Sequence, residues 1–195
     1  RQSLLTMNTD RVLPFRFISA ARHAPKLEDA LEAAMFRSLA DAPKLAGKTA
    51  LVIDGSGSMF GAPISAKSEL DRFDAACARA ILVREVCERV SVFVFSNQTF
   101  GVAPRRGFAL RDLLKQGAEQ GGTNTEYAVQ CAAQDGYDRI IVLTDEQSHQ
   151  QVSAPLPNTH AYFINVAGYQ NGIGYGKWTH IDGWSEAILD YVRAA

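Results

Sequence analysis

The chain has 195 residues, 47% of them hydrophobic and 21% charged, so it has the composition of a globular protein able to bury one sizeable core. A formal net charge of -1 excludes the globally basic character that grips nucleic acid by charge alone. No apolar run approaches the length of a membrane span, and membrane partners are not expected.

Arg1 stands in place of Met with no signal-peptide pattern after it, as expected of a processed chain or an excised piece. Residues 1–46 read as a helical arm. Leu13 to Arg22 and Leu27 to Leu39 carry helical patterns, with Pro25 between them. Leu27, Leu31, Ala34 and Met35 make an apolar stripe, and Glu28 and Asp29 occupy the first turn, where negative charge suits the helix dipole. The arm reads either as an ordinary packing helix or as a connector to a further part of a longer protein. Pro43 and Gly47 mark its junction with the main domain, residues 47–195.

That domain opens with Thr49 to Ile53, an apolar run expected to be a strand covered on both faces. Phe73, Ala76, Cys77, Ala80, Ile81 and Val83 then recur at the spacing of one helix face. Val90 to Phe95 reads as a strand, Leu110, Leu113 and Leu114 as a short helix, and Tyr127 to Ala133 as another. Strands follow at Arg139 to Thr144 and Thr159 to Val166, and a last helix starts near Ser185 with Glu186 in its first turn. Alternating strands and helices imply a doubly wound, mostly parallel, Rossmann-like α/β sheet with helices on both faces. Sites in such sheets form at the carboxyl ends of the strands.

Asp54-Gly55-Ser56-Gly57-Ser58 lies at such an end. Alternate residues of an extended turn point the same way, so Asp54, Ser56 and Ser58 are expected to converge. All three offer hard oxygen donors, which suits Mg²⁺, Mn²⁺ or Ca²⁺ and argues against zinc or copper. The plain alternative is helix capping, since Asp and Ser are strong N-cap residues and Asp145 also follows a strand.

The Asp-x-Ser-x-Ser pattern resembles the metal-ion-dependent adhesion site of von Willebrand factor A domains. Gly121-Gly122-Thr123-Asn124-Thr125 resembles that family's second loop, and Ile140-Ile141-Val142-Leu143-Thr144-Asp145 resembles the strand whose terminal Asp completes the site. The resemblance implies Ser56, Ser58 and Thr123 as direct metal ligands, with Asp54 and Asp145 direct or through water. Mg²⁺ prefers six oxygens, so a few waters and one exchangeable position remain, which an acidic group of a protein partner can complete. Gly55 departs from the pattern, because related loops carry a larger apolar residue there. That departure predicts a looser loop and weaker metal affinity.

Leu13-Pro14-Phe15-Arg16-Phe17-Ile18-Ser19-Ala20-Ala21-Arg22 before an A-type domain resembles the region joining the two parts of Ro autoantigen (TROVE) family proteins. Ile181-Asp182-Gly183-Trp184-Ser185-Glu186-Ala187-Ile188-Leu189-Asp190 resembles that family's C-terminus. In that family a ring of helical repeats precedes the A domain and binds misfolded RNAs and small Y RNAs. No such ring fits in these residues, so the resemblance implies the C-terminal part of a non-coding-RNA-binding ribonucleoprotein component.

Arg105, Arg106, Arg111 and Lys115 form a small basic cluster, read either as a solvated face or as a phosphate-contacting patch assisting an RNA held elsewhere. Gly172 to Lys177 lacks the spacing of a phosphate loop and reads as a surface loop. Neither Ser56 nor Ser58 fits the G-x-S-x-G nucleophile pattern, and loop 1 has no second Asp at Ser56. Ligation is therefore expected rather than catalysis, against the rival reading of a metal-dependent phosphohydrolase. His23, His149, His160 and His180 show no metal or triad spacing and read as structural or surface residues. Cys77, Cys87 and Cys131, odd in number, read as buried reduced thiols, which predicts a cytoplasmic home rather than an extracellular adhesion domain.

Overall fold

The computed structural model describes residues 9, 12, 15–64, 70–147, 151–167, 176–183 and 191–192. The arm forms two helices, α1 (Phe15–His23) and α2 (Glu28–Ser38), separated by a 3₁₀ turn over Pro25–Leu27. The Pro lies at the start of this turn, where its missing N–H costs nothing.

β1 (Leu45–Asp54) follows, then α3 (Arg72–Val86), whose N-cap Asp71 accepts a 2.7 Å hydrogen bond from the Asp74 amide. β2 (Cys87–Phe95) runs parallel to β1, and β3 (Thr99–Val102) folds back antiparallel on β2. Next come α4 (Gly107–Gly117), α5 (Thr125–Ala133), β4 (Arg139–Thr144), β5 (His160–Asn165) and β6 (Thr179–Asp182). The described strands form one six-stranded sheet in the order β3-β2-β1-β4-β5-β6, parallel throughout except for β3.

Side-chain alternation along the central strands explains their unbroken apolar character. Leu51 and Ile53 of β1 enter a core shared with Phe73, Ala76 and Ala80 of α3 and Leu110 and Leu114 of α4. Ala50 and Val52 face the other way, into a core with Ala128, Val129 and Ala132 of α5 and Trp178. β4 and β5 divide likewise, with Ile141, Leu143, Tyr162 and Ile164 on one face and Ile140, Val142, Ala161 and Phe163 on the other. Both faces are covered by helices, so the central positions of these strands are apolar on both sides, and each fully buried large side chain contributes about 1.5–3 kcal/mol. The doubly wound, mostly parallel α/β architecture is the one expected.

The arm has its own cluster. Phe17, Ile18, Ala21, Leu31, Ala34, Met35 and Leu39 pack against Ala78, Ile81 and Leu82 of α3 and Phe108 of α4. α3 is thus buried on both sides, which is why its apolar residues extend beyond the single face expected.

Two strands escape the sequence pattern. β3 is only four residues long, includes Gly101 and lies at the sheet edge, with Phe100 and Gly101 exposed. β6, Thr-His-Ile-Asp, is half-buried or exposed at every position, so it has no apolar run to read. The helix expected from Ser185, the stretch Trp184 to Asp190, Leu13 and Pro14, His149, and Gly172 to Tyr175 lie outside the described residues. Cys77 and Cys87 are buried free thiols, and burial pushes both toward higher pKa. Cys131 is a free thiol but only half-buried, because it lies on the outer side of α5. Among the described residues no helix is long and apolar enough to cross a membrane.

Candidate metal centre

β1 ends at Asp54, whose side chain is wholly buried between β2 and β4. Its Oδ1 accepts from the Ser56 amide at 2.9 Å and its Oδ2 from Thr144 Oγ1 at 2.6 Å. Burial pushes the carboxyl up to about 6, although the Thr144 and Ser56 hydrogen bonds pull it down. Thr144 Oγ1 also accepts from the Glu146 amide at 3.0 Å, so one hydroxyl ties the end of β4 to the end of β1.

A 3₁₀ turn, Gly57–Met59, follows Ser56 and brings the two serines together, with Oγ atoms 3.3 Å apart. Ser58 Oγ donates to Asp145 Oδ1 at 3.2 Å, and the Gln147 amide donates to the same oxygen at 3.2 Å. Asp145, directly after β4, is wholly buried. The structure therefore joins Asp54, Ser56, Ser58 and Asp145 into one cluster at the carboxyl edge of the sheet.

The second loop is fastened to the first by backbone. The Gly57 amide donates to the Gly121 carbonyl at 3.0 Å, and the Gln120 amide to the Gly55 carbonyl at 3.0 Å. Buried Ser96, after β2, donates to the Gly122 carbonyl at 2.8 Å and accepts from the Gly121 amide at 3.0 Å. A Cβ on Gly121 would lie 2.3 Å from Asn97 Nδ2, so a larger residue cannot take its place without moving that side chain. Thr123 thus lies half-buried on the loop beside the cluster, and its hydroxyl makes no hydrogen bond to a described residue.

Gly55 does not loosen the first loop. Its amide donates to the Phe95 carbonyl at 2.7 Å, and a Cβ there would lie 3.0 Å from Ala118 Cβ and 3.1 Å from its Cα. The glycine lets the turn after α4 approach closely, and a Cβ in its place requires Ala118 to give by a few tenths of an ångström. Hydrogen bonds on both the Gly55 amide and its carbonyl hold the loop instead of leaving it loose.

Arg72, the first residue of α3, reaches into the cluster. Its Nη1 donates to Asp145 Oδ2 at 2.6 Å and to the Ser58 carbonyl at 3.1 Å. The Arg72 side chain is 11% exposed and the Asp145 side chain 0%. No sequence spacing pointed to this residue, nor to Thr144 or Ser96 as organisers of the loops. Farther along the same edge, His180 of β6 contacts the buried carboxylate of Glu146, whose backbone is left-handed at φ 58°. His180 is therefore a structural partner of the loop after β4, as a structural reading of it requires.

The donors fit a hard divalent cation: two carboxylates and neighbouring hydroxyls, with no sulfur or imidazole in the cluster. Among the described residues no group of three or more His, Cys, Asp or Glu side chains is arranged to hold a metal. A site built on two carboxylates and hydroxyls is not a group of that kind. Asp54 has both oxygens committed to protein donors, so it suits holding Ser56 in place or acting through water.

The basic cluster is largely neutralised. Arg106 pairs with Glu85, Arg111 with Glu28 at 2.5 Å and Asp112 at 2.7 Å, and Lys115 with Asp74 at 3.1 Å. Arg105 alone of the four is exposed without an ion pair to a described residue.

Sheet order and the crossovers define a doubly wound, mostly parallel α/β fold, consistent with the von Willebrand factor A, Rossmann-like class. Solved structures share it. The RO (RSR) protein of Deinococcus radiodurans superposes with a TM-score of 0.63 at 17% identity, covering 87% of this chain and 38% of that one. An aerotolerance-related membrane protein of Bacteroides fragilis gives 0.52 at 15% identity, covering 76% of this chain and 97% of that one. Conserved hypothetical protein BatB of Bacteroides thetaiotaomicron gives 0.50 at 15%, covering 76% and 96%. The present chain thus spans well under half the length of the Ro protein. Neither a scan of family models nor a search of curated proteins found a match.

Proposed function

We propose that this chain is a divalent-cation-binding von Willebrand factor A module of a Ro-like ribonucleoprotein component, working as a ligand-binding part rather than as an enzyme. The observation that carries the metal reading is the hydrogen-bonded convergence of Ser56, Ser58 and Asp145, braced by Asp54, at the carboxyl edge of the sheet. Mg²⁺ is the expected ion, with Mn²⁺ or Ca²⁺ as substitutes, and Thr123 is the expected second-loop donor. Bound there, the ion supplies an exchangeable position for a partner's carboxylate. The free thiols support a cytoplasmic setting.

The Ro association is supported by the superposition, which takes in 87% of this chain against 76% for the two shorter proteins. RNA is held mainly by a helical-repeat ring outside this chain, in keeping with the neutralised basic cluster. A second reading, a general protein-interaction module without RNA, is favoured by the superposition on nearly the whole length of the two Bacteroides proteins.

The metal is tested by thermal unfolding across Mg²⁺ concentrations. Binding to the folded state raises the midpoint progressively by mass action, and Asp54→Ala and Asp145→Ala lose this response. Identical Mg²⁺ responses in wild type and both variants would sink the assignment. RNA is tested by mobility shift across salt concentrations: this chain alone binds structured RNA weakly, with a shallow salt slope. Tight, steeply salt-dependent binding would place the RNA surface on this domain.

A further inference from the structure

Arg72 sits where charge alone would not put it. It is the first helical residue of α3, at the positive end of the helix dipole, where a cation is disfavoured. Its compensation is the buried carboxylate of Asp145 and the Ser58 carbonyl, both belonging to the loops of the candidate metal centre. The two Asp145 oxygens have different partners. Oδ1 faces Ser58 Oγ and the Gln147 amide, whereas Oδ2 takes the guanidinium at 2.6 Å.

We propose that Arg72 is a tethered counterion of this site, neutralising Asp145 in the metal-free protein and leaving it when a divalent cation binds. The inference rests on the metal reading above and adds its regulation. A dication accepting Asp145 or Ser58 as ligands comes into contact distance of the guanidinium, and like charges in a water-poor pocket repel strongly. Metal entry therefore breaks the Arg72–Asp145 pair and releases a cation toward the rim of the site. The released guanidinium would then lie toward the rim of the site, where an acidic partner group is expected. One event thus links metal binding to presentation of a second positive charge.

Arg72→Gln removes the competing charge while keeping a neutral, shorter polar side chain at that position. Mn²⁺ binding is followed by the paramagnetic resonance signal of the free ion, and Mg²⁺ by its displacement of Mn²⁺. A charge-assisted hydrogen bond is lost on metal entry in the wild type only, so the variant binds either ion about 10- to 100-fold more tightly. Tight binding by the variant with none by the wild type supports the proposal equally. Equal or weaker affinity in the variant overturns the role of Arg72 while leaving the metal reading standing. Absence of binding in both proteins sinks the metal reading itself. If the variant fails to fold, the wild type still decides. The Arg72 Nε–Hε resonance in a ¹⁵N spectrum shifts in step with Mg²⁺ titration, and a resonance unmoved at saturation overturns the proposal.

Discussion

Thr144→Val isolates the hydroxyl that joins the ends of β1 and β4. The replacement is close in volume and keeps a β-branched residue in a strand, so packing and propensity change little. What changes is hydrogen bonding. Asp54 Oδ2 loses a 2.6 Å donor and the Glu146 amide loses a 3.0 Å acceptor, and Asp54, Thr144 and Glu146 are all wholly buried. Each buried polar group left without a partner costs about 1–3 kcal/mol. The variant is therefore expected to lose about 2–6 kcal/mol, a large part of the roughly 5–15 kcal/mol that stabilises an ordinary domain. Urea unfolding with metal removed measures it. With a slope of about 2 kcal/mol per molar, the midpoint falls by about 1–3 M at unchanged slope. A midpoint shift below about 0.25 M would refute the claim that this hydroxyl holds the two strand ends together.

Gly55→Leu, which restores the larger apolar residue of related loops, is expected to destabilise by about 1–3 kcal/mol because its Cβ meets Ala118 at 3.0 Å. A thermal midpoint at or above wild type would show that Ala118 yields freely. The pH dependence of the metal-free protein follows from Asp54, whose carboxyl is raised by burial from 3.8 to about 6. Between these values the unfolded chain has released a proton that the folded chain retains, so stability is highest below the unfolded value and falls as pH rises through the folded one. The loss is on the order of 3 kcal/mol between about pH 4 and about pH 7, and Asp54→Asn removes it. Parallel stability–pH profiles of the two proteins would contradict this.

The sheet was legible from short-range patterns. Ala50 to Ile53 and Ile140 to Leu143 are apolar at every position because both faces of the sheet are covered, and the ends of their strands announce the loops that follow. The short edge strands were not legible. Thr99 to Val102 and Thr179 to Asp182 are specified by backbone pairing with β2 and β5 rather than by buried side chains of their own.

At the site, the spacing of Asp54, Ser56 and Ser58 already determined that their oxygens gather, since only a few backbone angles separate them. Whether those oxygens meet a cation of the chain itself depended on Arg72, which is 73 residues from Asp145 in sequence. The same holds for Arg106, Arg111 and Lys115. As a sequence they are a basic patch, but Glu85 and Asp74 of α3 and Glu28 of α2 neutralise them. Local chemistry, such as which donors a loop offers, is written in consecutive residues because the backbone links them directly. Charge balance is a sum over everything within a few ångströms, and only the folded chain decides which distant residues enter that sum.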